Sequence, residues 1–228
     1  ETMVKIAIAS GKGGTGKTFV ATNIFNILVK ADRRCLLIDC DAEAPNSVAF
    51  FDPELSGKTE VTQQVPVIDI NKCTFCGRCQ EYCSYNAIFL LAPMKIIRVM
   101  EELCHGCGAC TVACNDGAIT EKSFPLGLVS SFAVNDTSGI IEGKMNIGVL
   151  SPVSIIKASI RQINNHTDII ILDAPPGTSC PVIESMKGCD FVCLVTEPTP
   201  FGLNDLKLAV ETVRVLNIPF GVIINCDG

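Results

Sequence analysis

With 228 residues, 48% of them hydrophobic, and a formal charge of −6, the chain carries enough apolar material for a full core and falls outside the disordered class. The acidic balance argues against non-specific binding to nucleic acid, and no apolar run reaches the roughly 18 residues of a membrane-spanning helix. No signal-peptide pattern opens the chain, so a cytoplasmic location is expected, and Glu1 and Thr2 ahead of Met3 read as a cloning remnant.

In chain order, VKIAIAS (4–10) is a nearly continuous apolar run, the pattern of a strand buried on both faces. GKGGTGKT (11–18) follows it, and an amphipathic stretch predicts a helix over 17–30. CLLIDCD (35–41) predicts the next strand. Residues 66–122 break the pattern and read as a small inserted domain, leaving 1–65 and 123–228 to the parent fold. GLVSSFAVND and IIEGKMNIGVL predict a hairpin over 125–150 around a TSG turn. Helices predicted over about 152–164, 178–188 and 203–217 then alternate with strands at DIIILDAP (168–175), FVCLVTEP (191–198) and FGVIINC (220–226). This alternation predicts an α/β fold, doubly wound around a mostly parallel sheet. NCDG follows what reads as a core strand, so a further C-terminal part with a covering helix is expected.

Fourteen cysteines without a secretion signal point to reduced thiols rather than disulfides. Six of them (Cys35, Cys40, Cys180, Cys189, Cys193 and Cys226) lie in or beside apolar runs and are expected to pack as small buried hydrophobes. The other eight form a repeat: CTFCGRCQEYCSYNAI (73–88) and CHGCGACTVACNDGAI (104–119) share their spacing and closing Ala-Ile at an offset of 31 residues. Each copy reads C-x2-C-x2-C-x3-C. Structural zinc sites usually draw on two separated C-x2-C pairs, whereas cysteines at strict three-residue steps wrap one loop around a corner-rich cubane cluster.

The repeat resembles the two-cluster bacterial ferredoxins, which implies a ferredoxin-like α+β insert. The resemblance assigns Cys73, Cys76, Cys79 and Cys114 to one 4Fe–4S cluster, and Cys104, Cys107, Cys110 and Cys83 to a second. Ferredoxins follow the fourth cysteine with proline, but Ser84 and Asn115 stand here and restore an N–H donor, so no reduction potential is carried over.

GKGGTGKT satisfies G-x4-G-K-T between a strand and a helix, the context the phosphate-binding loop requires. Gly11, Gly13, Gly14, Thr15 and Gly16 would turn backbone N–H groups toward phosphates. Lys17 would reach the β- and γ-phosphates, and Thr18 would offer a hydroxyl to Mg2+. With Lys12 ahead of it, the loop resembles the deviant Walker A of the MinD/Mrp (CobQ/CobB/MinD/ParA) P-loop ATPases, relatives of the nitrogenase iron protein. That resemblance implies slow, partner-stimulated hydrolysis of ATP to ADP and phosphate in a homodimer, with Lys12 reaching the other subunit's phosphates. LLIDCDAEAPN resembles the first switch, where Asp41 would orient the attacking water and approach Mg2+, with Asp39 as the lesser candidate. IIILDAPPGTSCPV resembles the Walker B and second switch, placing Asp173 on Mg2+ through water and Gly177 near the γ-phosphate. VIINCDG puts Asn225 at the adenine edge, with TEPTPFG beside it. Cys180 stands where the nitrogenase iron protein presents a ligand for its bridging cluster, although a packing thiol near the dimer axis is the plainer expectation.

The expected function is an ATP-dependent homodimeric switch coupled to electron transfer through two 4Fe–4S clusters toward a partner metalloprotein or metal-cofactor assembly. Its rivals are an iron–sulfur cluster scaffold or carrier that releases clusters to apo-proteins, and a positioning ATPase like MinD or ParA.

Overall fold

The structure is a computed structural model and describes residues 3–226; Glu1 and Thr2, read above as a remnant, and the last two residues of NCDG lie outside them. Among the described residues, ten strands and six α-helices run in the order β1 (Val4–Ala9), α1 (Lys17–Lys30), β2 (Cys35–Asp39), β3 (Glu54–Ile68), α2 (Arg78–Glu81), β4 (Ile88–Leu91), β5 (Ile96–Val99), α3 (Ala109–Ala113), β6 (Ile119–Ala133), β7 (Gly139–Met145), α4 (Val153–Ile160), β8 (Ile169–Asp173), α5 (Cys180–Met186), β9 (Phe191–Thr196), α6 (Pro200–Val215) and β10 (Phe220–Ile224). Two compact units share them. One comprises the residues up to Thr59, Gly127–Met145 and the chain from Ser151 onward; the other comprises Glu60–Leu126 with Asn146–Leu150.

The first unit is built on an eight-stranded sheet in the order β10-β9-β1-β8-β2-β7-β6-β3. From β10 to β7 every pairing is parallel, and β6 returns antiparallel to β7. The apolar runs are buried on both faces, as a parallel sheet covered by helices demands: all five residues of β2 are buried, as are four of the five in β8. Phe25 of α1 is fully buried with Ile8, Leu37, Ile140 and Ile171, and its ring meets Phe51 edge-on at 5.3 Å. Phe25→Ala should cost about 3–5 kcal/mol of stability, read as a lower urea midpoint, because the lost contacts leave a cavity that the sheet cannot close. No helix among the described residues is long and apolar enough to cross a membrane.

Each of the five strands expected from the apolar runs exists but ends one or two residues early, at Ala9, Asp39, Asp173, Thr196 and Ile224. The residues trimmed off are those that turn out of the sheet at its C-terminal edge. Helix α6 starts earlier than expected, at Pro200, because the Thr199 hydroxyl accepts from Gly202 N (3.0 Å) and proline suits the first helical turn. The hairpin β6–β7 turns at residues 134–138, beginning three residues ahead of the expected TSG and taking in its Thr137 and Ser138: Asn135 Oδ1 accepts from the N–H groups of both (2.9 and 2.7 Å). The sequence pattern predicts no strand at β3. Its residues up to Thr59 are exposed at the sheet edge, so no buried apolar face marks them.

The second unit holds the β4–β5 hairpin, the short helices α2 and α3, and a small core of Cys79, Ile88, Cys110 and Ile119. The repeat is visible in its backbone. Gly77 and Gly108, at equivalent positions, both cap their helices in the left-handed conformation (φ 85° and 71°).

Candidate functional site

Parallel strands bring their C-terminal ends to one edge of the sheet, and at that edge residues distant in sequence meet. The loop after β1 leads into α1, whose N-cap is Gly16 at φ 91° and ψ 21°. A side chain at Gly16 would suffer twice, from the left-handed backbone and from the amide of Asn225 lying against it. Lys17 opens the helix and is buried to 7% exposure, while Gly13 and Gly14 are exposed. The helix N-terminus and its free N–H groups thus stand beside a buried cation, an arrangement suited to phosphate.

Two acids differ sharply in their surroundings. Asp39, at the end of β2, is fully buried but satisfied: it accepts from the N–H groups of Asp41 (3.0 Å), Asn46 (3.0 Å) and Ser47 (2.9 Å). Its work is to anchor the 41–47 loop. Asp173, paired with Asp39 in register at the end of β8, is 1% exposed, and its Oδ1 has no hydrogen-bond partner. Its Oδ2 faces the Ser47 hydroxyl at 3.5 Å. Burial pushes the Asp173 carboxyl up to about 7, against the easing effect of the Thr18 hydroxyl and Lys17, while Asp39 and Asp41 push the same way as burial. The Thr15 hydroxyl is likewise buried without a partner. An orphaned carboxylate oxygen beside Thr18 and Lys17 fits a cation bound with phosphate. Asp41 is half-buried on the anchored loop, and Gly177 N donates to Ser10 O (3.0 Å), tying the second-switch loop to the end of β1.

Lys12 and Asn225 are both engaged within the chain. Lys12 Nζ donates to Glu197 Oε1, and the Thr199 hydroxyl donates to the same oxygen (3.1 Å). These bonds hold the Glu197 carboxyl below the usual range. Within the TEPTPFG stretch nothing local marks Glu197 as the partner of a residue 185 positions away. Asn225 Nδ2 donates to Thr15 O (3.0 Å), so its amide sits on the phosphate loop. Beside it, Glu197, Pro198, Pro200, Leu203, Leu206 and Ile224 line an open cavity of about 460 Å³, apolar enough for a flat heterocycle.

The second unit has two cavities of its own. Cys73, Cys76, Cys79 and Cys114 line one and Cys83, Cys104, Cys107 and Cys110 line the other, each about 20 Å³ in volume. Backbone N–H groups point at sulfur in both: Phe75 to Cys73 and Gly106 to Cys104 at 3.4 Å, and Ala87 to Cys83 at 3.3 Å. Among the described residues, no three His, Cys, Asp or Glu side chains converge as ligands of a single metal ion. Of the scattered cysteines, Cys35, Cys40, Cys189 and Cys193 are buried, whereas Cys180 and Cys226 are exposed. The expectation of a buried thiol is corrected for these two, because each lies just outside the sheet, at the first residue of α5 and beyond the end of β10.

A phosphate-binding loop at the C-terminal edge of a doubly wound, mostly parallel sheet defines a P-loop nucleotide-binding protein. The chain belongs to the CobQ/CobB/MinD/ParA nucleotide binding domain family, whose profile matches residues 6–226. It is 33% identical over 233 residues to the uncharacterized protein MJ0579 of Methanocaldococcus jannaschii, covering 99% of this chain and 81% of that one. The iron-sulfur cluster carrier protein of the same organism is 24% identical over 233 residues, covering 98% of this chain and 60% of the carrier. The septum site-determining protein MinD of Pyrococcus horikoshii, solved with Mg-ADP, shares the fold at a TM-score of 0.52 and 18% identity, over 98% of this chain and 70% of MinD.

Proposed function

We propose that the chain is an ATP-hydrolysing, homodimeric switch that couples nucleotide state to electron transfer through two 4Fe–4S clusters, toward a partner metalloprotein or metal-cofactor assembly. The observation that carries the redox half is the sorting of eight cysteines into two cavities across the repeat, Cys114 with the first copy's three and Cys83 with the second copy's three. Thiolates at the corners of a cubane stand further apart than ligands of a single ion, and N–H groups aimed at sulfur suit the negative charge such a group places there. When bound, each cluster would supply one-electron transfer. The domain boundaries of this reading are 66–122 for the ferredoxin-like insert and 1–65 with 123–228 for the ATPase.

The nucleotide half follows from the sheet edge. The 11–16 loop and Lys17 bind the β- and γ-phosphates, Thr18 and Asp173 hold Mg2+, and Asp41 orients the attacking water. Adenine takes the apolar cavity beside Asn225. Lys12 reaches the other subunit's phosphates only after leaving Glu197. Nucleotide favours the dimer to the extent that it binds the released form better.

Anaerobic reconstitution with iron and sulfide, followed by an EPR-monitored redox titration with and without MgATP, tests the proposal. It expects two 4Fe–4S signals whose potentials move on adding MgATP in the wild type and stay put in Lys12→Ala. A protein that takes up no iron sinks it. The carrier reading draws on the name of the 24%-identical relative; ATP-dependent transfer of iron to an apo-acceptor, with potentials unmoved by MgATP, would favour it instead.

A further inference from the structure

The two cysteine cavities are related by the repeat, but the charges around them are not. Four pairs of positions, each 31 residues apart, differ in kind. Arg78 lines the first cavity, where the second has Ala109. Glu121 lines the second cavity, its Oε1 beside Gly108; in the first half Leu90 takes that place beside Gly77. Asp116 lines the first and accepts from the Thr74 hydroxyl (2.7 Å), while the equivalent pair at the second is Tyr85 stacked on His105 (centroids 3.8 Å, planes 14° apart). The first wall therefore carries one cation and one anion, and the second an anion without a fixed cation.

We propose that Arg78 and Glu121 make the two sites inequivalent, so that the site of Cys73, Cys76, Cys79 and Cys114 has the higher reduction potential and keeps a single shared electron. This rests on the 4Fe–4S reading above. Adding an electron makes a cluster one unit more negative, which a neighbouring guanidinium favours and a neighbouring carboxylate opposes. An outside low-potential one-electron donor is oxidised, the cluster at the first site is reduced, and a second electron is needed before the other site fills. The arrangement gives the pair a direction: the second site passes electrons to the first.

The test starts from reconstituted full chain with iron and sulfide counted, then titrates it with dithionite under EPR at pH 8, where an ordinary imidazole is neutral. The wild type should show two midpoints, drawing together as salt is raised because Arg78 and Glu121 are exposed. Arg78→Ala should lower only the upper midpoint, and Glu121→Gln should raise only the lower one. Each should shift the electron distribution about tenfold, about 59 mV for a one-electron step. Arg78→Lys keeps the charge and should keep the gap. A single shared midpoint in the wild type overturns the inference, and so does a gap that neither variant moves, in protein carrying its full iron. Protein that binds no iron and sulfide overturns the 4Fe–4S reading itself.

Discussion

Asp173→Asn should raise the thermal midpoint of the nucleotide-free protein at pH 8 while reducing magnesium-dependent ATP hydrolysis by at least about a hundredfold. Asp173 is 1% exposed with one carboxylate oxygen unpaired, and its pKa is pushed up to about 7. An unfolded aspartate loses its proton near pH 4. Between about pH 4 and 7 the folded chain therefore holds a proton that the unfolded chain has released. Stability through this group is greatest at the acid end of the window and falls as pH rises across it, by up to about 1.4 kcal/mol per pH unit. Above pH 7 the folded protein carries a buried carboxylate with one oxygen unpaired, a charge that asparagine removes. A gain of about 1–2 kcal/mol at pH 8 would appear as several degrees in the melting midpoint, and the gain should vanish near pH 4. Melts of both proteins across pH 4–8, alongside phosphate release, check this. A variant less stable than wild type at pH 8 would mean that the carboxylate is not a stability cost, and the cation argument would lose its footing.

Two double variants should separate cleanly in iron content. Cys83→Ser with Cys107→Ser removes two thiols from the same cavity and should leave about half of the wild-type iron. Cys79→Ser with Cys83→Ser removes two thiols from the same repeat but one from each cavity, and should leave almost none. If each repeat held its own cluster, the order would reverse, so iron per chain after anaerobic reconstitution decides between the pairings. Circular dichroism of the apo-proteins guards against a folding defect, since Cys79 and Cys110 also belong to the small core of that unit.

Much of this was legible along the chain because the signals are local. A glycine run between an apolar strand and a helix, and cysteines at fixed three-residue steps, keep their meaning whatever the rest of the fold does. The strand ends were less legible. CLLIDCD and DIIILDAP stay apolar past Asp39 and Asp173, and hydrophobicity does not reveal where a chain turns out of a sheet to build a site.

Sequence by itself determined the parallel α/β pattern, the phosphate loop and the doubled cysteine spacing, each a matter of residues within a few positions of one another. The tertiary structure alone decided that Asp39 is spent on three backbone N–H groups while Asp173 keeps an oxygen free. It likewise paired Lys12 with Glu197, and set Glu121 at the cavity that Cys83 shares with Cys104, Cys107 and Cys110. Those facts depend on which distant segments the fold brings together, and a contact between residues far apart in the chain leaves no mark in the local sequence on either side.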